Sequence, residues 1–261
     1  MVNIADLTVD QITLFFLCFI RVVSIIVMMP VIGSGNIPMR VKSALSFFIA
    51  IALFPTFPEY TAELPSAVFP FAVIAVKEVL VGIVLGFGAN MIFVSLQFAG
   101  RLVDQQMAFA MVEVIDPSTD VSVTVMGQFK MIIFTLIFLM IYGHHFLLTA
   151  LADSFRMIPL TEVSIDSGRL SQQIIFMIRD VFILAVKFAA PIMVTLLMTT
   201  ISLGIIARTV PQMNVFIVGL PLKIGIGLFT AFVSLPLLYI VFQKMFLRLQ
   251  EDIYILMDCL G

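Results

Sequence analysis

The adjacent pair His144-His145 holds both histidines of this 261-residue chain and invites a metal or proton-relay reading. Neighbouring residues on a helix point about 100° apart. Zinc pairs of the HExxH kind instead converge from positions i and i+4. The two cysteines do not complete a ligand set, since Cys18 lies inside an apolar run and Cys259 near the C-terminus. Two such thiols suggest neither a disulfide framework nor a metal site. Asp104 and Glu78 are acidic groups available to an intramembrane enzyme, yet no HExxH and no serine–histidine signature accompanies them. The His pair therefore reads as structural, and the chain as a non-enzyme without cofactor or metal.

A second set of reactive groups is conspicuous for its surroundings. Arg21, Lys77, Glu78, Arg179, Asp180 and Lys187 all fall inside apolar runs. Each costs about 2.5–3.5 kcal/mol at the centre of a lipid-exposed helix, so they call for protein neighbours. The background is extreme: 62% of residues are hydrophobic, 11% are charged and mean hydropathy is +1.19. A soluble domain is about 45–50% apolar and about 25% charged. No water-soluble fold of this length hides so much apolar surface. Net charge is −2 with no basic block, which removes the electrostatic basis for nucleic-acid binding. Residues 1–10 carry Asp6 and Asp10 but no Lys or Arg, so a cleavable signal peptide is not expected.

The elements that must position these groups are six apolar stretches, at 11–29, 43–58, 71–100, 129–151, 174–207 and 215–247. Nothing alternates with period two for long, and the chain reads as all-α. A bilayer core needs about 20 helical residues. Stretches 71–100, 174–207 and 215–247 reach about 45, 51 and 50 Å at about 1.5 Å per residue, too long for simple spans. Pro191, Pro221 and Pro236 are expected to bend or break two of them. Stretch 43–58 is short for a span. The expectation is one integral membrane domain over 1–261, with long, kinked stretches arranged as helical hairpins packed on protein. Early joints place the N-terminus outside by the positive-inside rule, but Arg156 and Arg169 cancel that signal.

Two stripes give the stretches a face. At about 100° per residue, Glu78, Gly82, Gly86, Asn90, Gln97, Gly100 and Asp104 share an arc of about 120°, with Gly82 and Gly86 forming a GxxxG pair. Asp180, Lys187, Pro191, Thr195 and Ser202 share about 80°. Asp180 and Lys187 lie two turns apart, so their direct partners are expected on other helices.

The joint Arg101–Gln128 is long for a connection, and its middle is too apolar for ordinary disorder. Unbranched Met side chains adapt to irregular spaces, so Met107, Phe109 and Met111, following Gln106, suit a deformable seal, with Asp116-Pro117 setting a turn. The joint Arg208–Asn214 contains Pro211, Gln212 and Asn214, good loop formers able to satisfy helix ends. Lys223 follows Pro221 and is placed to pair with a partner carboxylate.

Several phrases in order along nearly the whole chain resemble one family. They are Arg21…Pro30-Val-Ile-Gly33…Ile-Pro38…Lys42; Lys77-Glu78…Gly82…Gly86-Phe-Gly88; Gln97-Phe-Ala-Gly100-Arg-Leu-Val-Asp104-Gln-Gln106 and Asp116-Pro117; Gly143-His-His145 with Ser154-Phe155 and Pro159; Arg208-Thr-Val-Pro211-Gln-Met-Asn214-Val-Phe216; and Gly219-Leu-Pro221-Leu-Lys223. Together they resemble the FliR family of flagellar biosynthetic proteins and its injectisome counterparts. The resemblance implies an inner-membrane export-gate subunit in the flagellar basal body. It would assemble with FliP-like and FliQ-like subunits, contact an FlhB-like protein and pass unfolded flagellar proteins outward. It also implies helical hairpins that join a ring, and a plug of the closed pore at 105–120. Assembly or packing roles then fall on Glu78, Gly82, Gly86, Asn90, Gln97, Asp104, Asp180, Lys187, Arg208, Pro211, Gln212, Asn214 and Lys223. The rival reading is a secondary transporter, which needs polar groups converging on one midplane site and often shows internal repeats. No repeat is visible here.

Overall fold

Apolar side chains dominate the long segments, and the computed structural model forms seven α-helices among the residues it describes. It describes residues 9–56, 67–108, 125–160, 163–210, 212 and 214–261. The helices are α1 (Val9–Met28), α2 (Met39–Leu53), α3 (Val68–Gln106), α4 (Val125–Met140), α5 (Gly143–Met157), α6 (Ser167–Thr209) and α7 (Val215–Asp258). A short 3-10 turn, Phe54–Thr56, follows α2. Four helices (α1, α3, α6 and α7) are long and apolar enough to cross a membrane, and α4 with α5 make a fifth if counted as one broken span. The all-helical membrane class is as expected; in place of six stretches, the described residues form seven helices, of which four or five are candidate membrane spans.

The difference has a local cause. Stretch 129–151 divides at Tyr142, whose φ of 58° is left-handed, and a side chain beyond Cβ in that region ends the helix. The prolines, in contrast, do not break their helices: Pro191 lies inside α6 and Pro221 and Pro236 inside α7, which are 43 and 44 residues long. A mid-helix proline leaves carbonyls of the preceding turn without a donor, and apolar helices tolerate this when side chains supply one. Here Lys130 Nζ donates to the Phe188 carbonyl, three residues before Pro191, at 3.2 Å.

Helix starts follow the same accounting of orphan backbone groups. Asp166 Oδ1 accepts the Gly168 and Arg169 N–H groups at 3.1 Å each and caps α6. Asn214 Oδ1 accepts the Ile217 N–H at 3.4 Å at the start of α7.

The chain forms two compact units. Unit 1 comprises Met1–Met91, Tyr142–Met177 and Arg248–Gly261, and unit 2 comprises Ile92–Ile141 and Ile178–Leu247. In unit 1, the core residues Leu17, Val22, Ile26, Val81, Leu256 and Leu260 are fully buried. The chain end is held there by backbone bonds from Ser164 N–H to the Leu260 carbonyl (3.2 Å) and Asp166 N–H to the Cys259 carbonyl (3.1 Å). In unit 2, Phe134 packs on Phe188 and Phe242 with ring centroids 5.3 and 5.1 Å apart, and Phe138 packs on Phe93 and Phe246 at 5.4 and 5.7 Å.

Candidate functional site

Arg21 shows how unit 1 handles a charge in an apolar helix. Its Nε donates to Glu78 Oε2 at 2.5 Å, both side chains being fully buried. Its Nη1 donates to the carbonyls of Ser154 (3.1 Å) and Ile158 (2.7 Å), and its guanidinium lies 4.7 Å from the Phe155 ring centre. Ser154 lies in the last turn of α5 and Ile158 is its C-cap residue, so the guanidinium stands at a helix C-terminus, where a cation is favoured. One group therefore ties α1, α3 and the end of α5. Gly82 and Gly86 permit the approach: a Cβ on Gly82 would collide with Ser24 Cβ and the Arg21 carbonyl, and one on Gly86 with Met28 Cβ. Lys77 Nζ donates to the Val163 carbonyl at 3.1 Å.

Unit 2 contains the roots of the expected plug. The helices extend further than the apolar stretches do, so the joint Arg101–Gln128 narrows: α3 runs to Gln106 and α4 begins at Val125. Asp104, buried near the end of α3, accepts the Met126 N–H through Oδ1 (3.0 Å) and Oδ2 (3.2 Å). An acidic side chain from one helix thereby caps the next. Four residues earlier, Gly100 meets the Gly127 backbone so closely that a Cβ would collide with it. Met107 is fully buried, and its Sδ lies 2.8 Å from where a Cβ on Gly227 of α7 would stand. Gln106 is half-buried. Phe109, Met111, Asp116 and Pro117 lie outside the described residues.

Other expected positions are spread more widely. The stripe on α3 serves two neighbours, α1 at Gly82 and Gly86 and α4 at Gly100 and Asp104, while Asn90 is half-buried and Gln97 exposed. Asp180 accepts from Arg179 Nη2 on the same helix at 3.0 Å, next to it in sequence. Lys187 is exposed and makes no hydrogen bond or ion pair among the described residues. Arg208, Gln212 and Asn214 are exposed, Lys223 is half-buried, and Pro211 lies outside the described residues. His144 and His145 meet edge to face with ring centres 4.4 Å apart, and among the described residues no cluster of three or more His, Cys, Asp or Glu is placed to hold a metal.

Sequence reasoning missed Lys130, which stands just inside stretch 129–151, is 1% exposed and bonds the Phe188 carbonyl. Its signal was available: a lysine one turn into an apolar helix is as costly as the six charges singled out. It also missed Asp153, which accepts the Tyr254 hydroxyl at 2.9 Å, a contact spanning 101 residues.

The pattern of residues 12–249 matches the model of a family described as bacterial export proteins, family 1. The chain belongs to that family. Among curated members, the "Flagellar biosynthetic protein FliR" of Bacillus subtilis is 34% identical over 241 residues, 91% of this chain and 92% of the relative. The protein of the same name from Aquifex aeolicus is 32% identical over 231 residues, 88% of each chain. That of Pectobacterium carotovorum is 30% identical over 233 residues, covering 88% and 87%. As a family 1 export protein with four or five helices able to cross a membrane, the chain is a multi-pass protein of the bacterial inner membrane.

Proposed function

We propose that this family 1 export protein is a wall subunit of the gate through which unfolded flagellar proteins leave the cell, with segment 105–120 as its plug. Membership in the flagellar export apparatus rests on the family and its relatives; the wall, the plug and the partners are our reading. Both units then act as one membrane domain, assembled with FliP-like and FliQ-like subunits and touching an FlhB-like protein.

The observation that supports the plug most directly is the clamp at its base. Asp104 holds the start of α4, Gly100 lies against Gly127, and Met107 is seated against Gly227. A segment that must block a pore and move aside needs roots that stay fixed, and ends held together make a long connection less costly to close. Its apolar, Met-containing sequence is suited to sealing against irregular surfaces. A solute carrier would instead gather its polar groups at one site. Here Arg21 is bonded to Glu78 and to backbone carbonyls, and Asp104 to a backbone N–H, so these buried charges serve packing.

The test is deletion of residues 106–115 in cells that carry the complete export apparatus. We expect assembly to persist and ions to leak across the inner membrane, read as loss of membrane potential and sensitivity to external salt. A membrane as tight as that of the parent cells would sink the plug reading while leaving the export family untouched.

A further inference from the structure

Two glycines of α7, two residues apart, meet opposite surroundings. Gly225 is exposed, and a Cβ built on it would find nothing within 4 Å. Gly227 is buried, and a Cβ there would stand 2.7, 2.8 and 3.0 Å from Cε, Sδ and Cγ of Met107. Glycine is poorer than alanine inside a helix, so a buried helical glycine calls for a reason. At Gly227 the three nearest atoms all belong to one side chain, that of Met107, and both residues lie in unit 2.

Met107 is the first residue beyond α3; it is fully buried, and its N–H still bonds the Val103 carbonyl at 2.9 Å. The next residue, Ala108, has a φ of 62°. That left-handed position after a helix is usually glycine's, because a Cβ crowds the backbone there. None of the described glycines takes a positive φ, yet this alanine does. Such a conformation persists where the surroundings over-determine it. The backbone gives Ala108 only a long bond, its N–H to the Gln105 carbonyl at 3.4 Å.

We propose that Gly227 is a positioning residue of the closed gate: its missing side chain makes the seat in α7 where Met107 fixes the exit of the chain from α3. The inference rests on the plug reading above and assigns that plug a root on α7. With Met107 seated, the left-handed Ala108 aims the chain in one direction. With the seat filled, the thioether yields first, since it is unbranched and adaptable, and the direction is lost. What gives way is one flexible side chain, so the helices keep their packing while the barrier fails. A merely structural glycine would do the reverse.

The test uses the full chain in cells with the complete export apparatus. Gly227→Leu fills the seat, Gly225→Leu is the control, and the deletion of 106–115 is the reference for an open barrier. We expect Gly227→Leu to accumulate and export like the parent yet lose membrane potential as the deletion does, while Gly225→Leu stays tight. Exchange of the side chains, Met107→Gly with Gly227→Met, should restore the potential. A tight Gly227→Leu beside a leaking deletion would overturn the proposal and leave the plug standing; a tight deletion ends both. Equal leaks in the two leucine variants would also overturn it, since any bulk on α7 would then open the barrier. If Gly227→Leu does not accumulate, Met107→Ala decides from the other side: a leak supports the seat and tightness refutes it. The seat is read without any plug by Met107→Cys with Gly227→Cys, in a chain also carrying Cys18→Ala and Cys259→Ala. With Met107 Cγ 3.0 Å from the Cβ position of residue 227, the pair is within disulfide reach and should cross-link under mild oxidation. No cross-link in a chain that accumulates would overturn the seat itself.

Discussion

Removing one member of the Arg21–Glu78 pair strands the other where no water reaches it. Both side chains are fully buried, and breaking such a pair costs about 3–5 kcal/mol, whereas replacing both charges with apolar residues of similar volume is often neutral. Arg21→Ala and Glu78→Ala should therefore each lower the thermal midpoint in detergent and the amount of chain in the membrane. Arg21→Met combined with Glu78→Leu should recover most of the loss; a double variant as poor as the singles would mean that the carbonyl contacts of Arg21 dominate. Cys259 offers a second reading at this scale. Burial pushes its thiol up from the ordinary value; Asp258 and Asp166 add to this, and Arg169 opposes it. Since only the thiolate is nucleophilic, alkylation of Cys259 near neutral pH should be slow in the folded protein and fast after denaturation, as mass spectrometry would record. Single residues were only half legible in the sequence. That Arg21 and Glu78 were misplaced for lipid followed from type and context alone. Their mutual pairing did not, because 57 residues separate them and nothing local encodes which helices meet.

Among the helices, the glycines separate close approach from mere permissiveness. Ala is favoured over Gly within a helix by about 1 kcal/mol, so the sign of a Gly→Ala change reports what stands opposite. At Gly82 a methyl would meet Ser24 Cβ and the Arg21 carbonyl, atoms that cannot swing away, whereas at Gly204 and Gly225 nothing lies within 4 Å. Gly82→Ala should destabilise by about 1–3 kcal/mol through overpacking, and Gly204→Ala should be neutral or slightly stabilising. Comparison of thermal midpoints for the two variants checks this, and equal effects would remove α1–α3 contact as the reason for Gly82. The GxxxG spacing made this face readable in advance, as did the helical class and the long reach of the later stretches. Helix continuity was not readable. Pro191 is a breaker by its own chemistry, and the bond that Lys130, 61 positions earlier, gives to the Phe188 carbonyl in the preceding turn is written nowhere near it. The break at Tyr142 carried no proline to announce it.

For the whole molecule, the question is which charges hold the chain together and which wait for something outside it. Arg21, Glu78, Lys77, Asp104 and Lys130 all find partners inside the chain. These five charges in apolar helices are therefore met without sister proteins. Lys223 is different: half-buried at the N-terminal part of α7, it forms no ion pair among the described residues. In a chain expressed without the other export genes, Lys223→Ala should accumulate like the parent, whereas Glu78→Ala should not. With those genes restored, Lys223→Ala and Asn214→Ala should deplete the assembled complex on native gels, since a cation at a subunit boundary contributes only once its partner is present. If Lys223→Ala lowers the solitary chain as far as Glu78→Ala does, the lysine acts in folding and the boundary must be sought elsewhere. If it leaves both the solitary chain and the complex intact, Lys223 lies outside any subunit boundary.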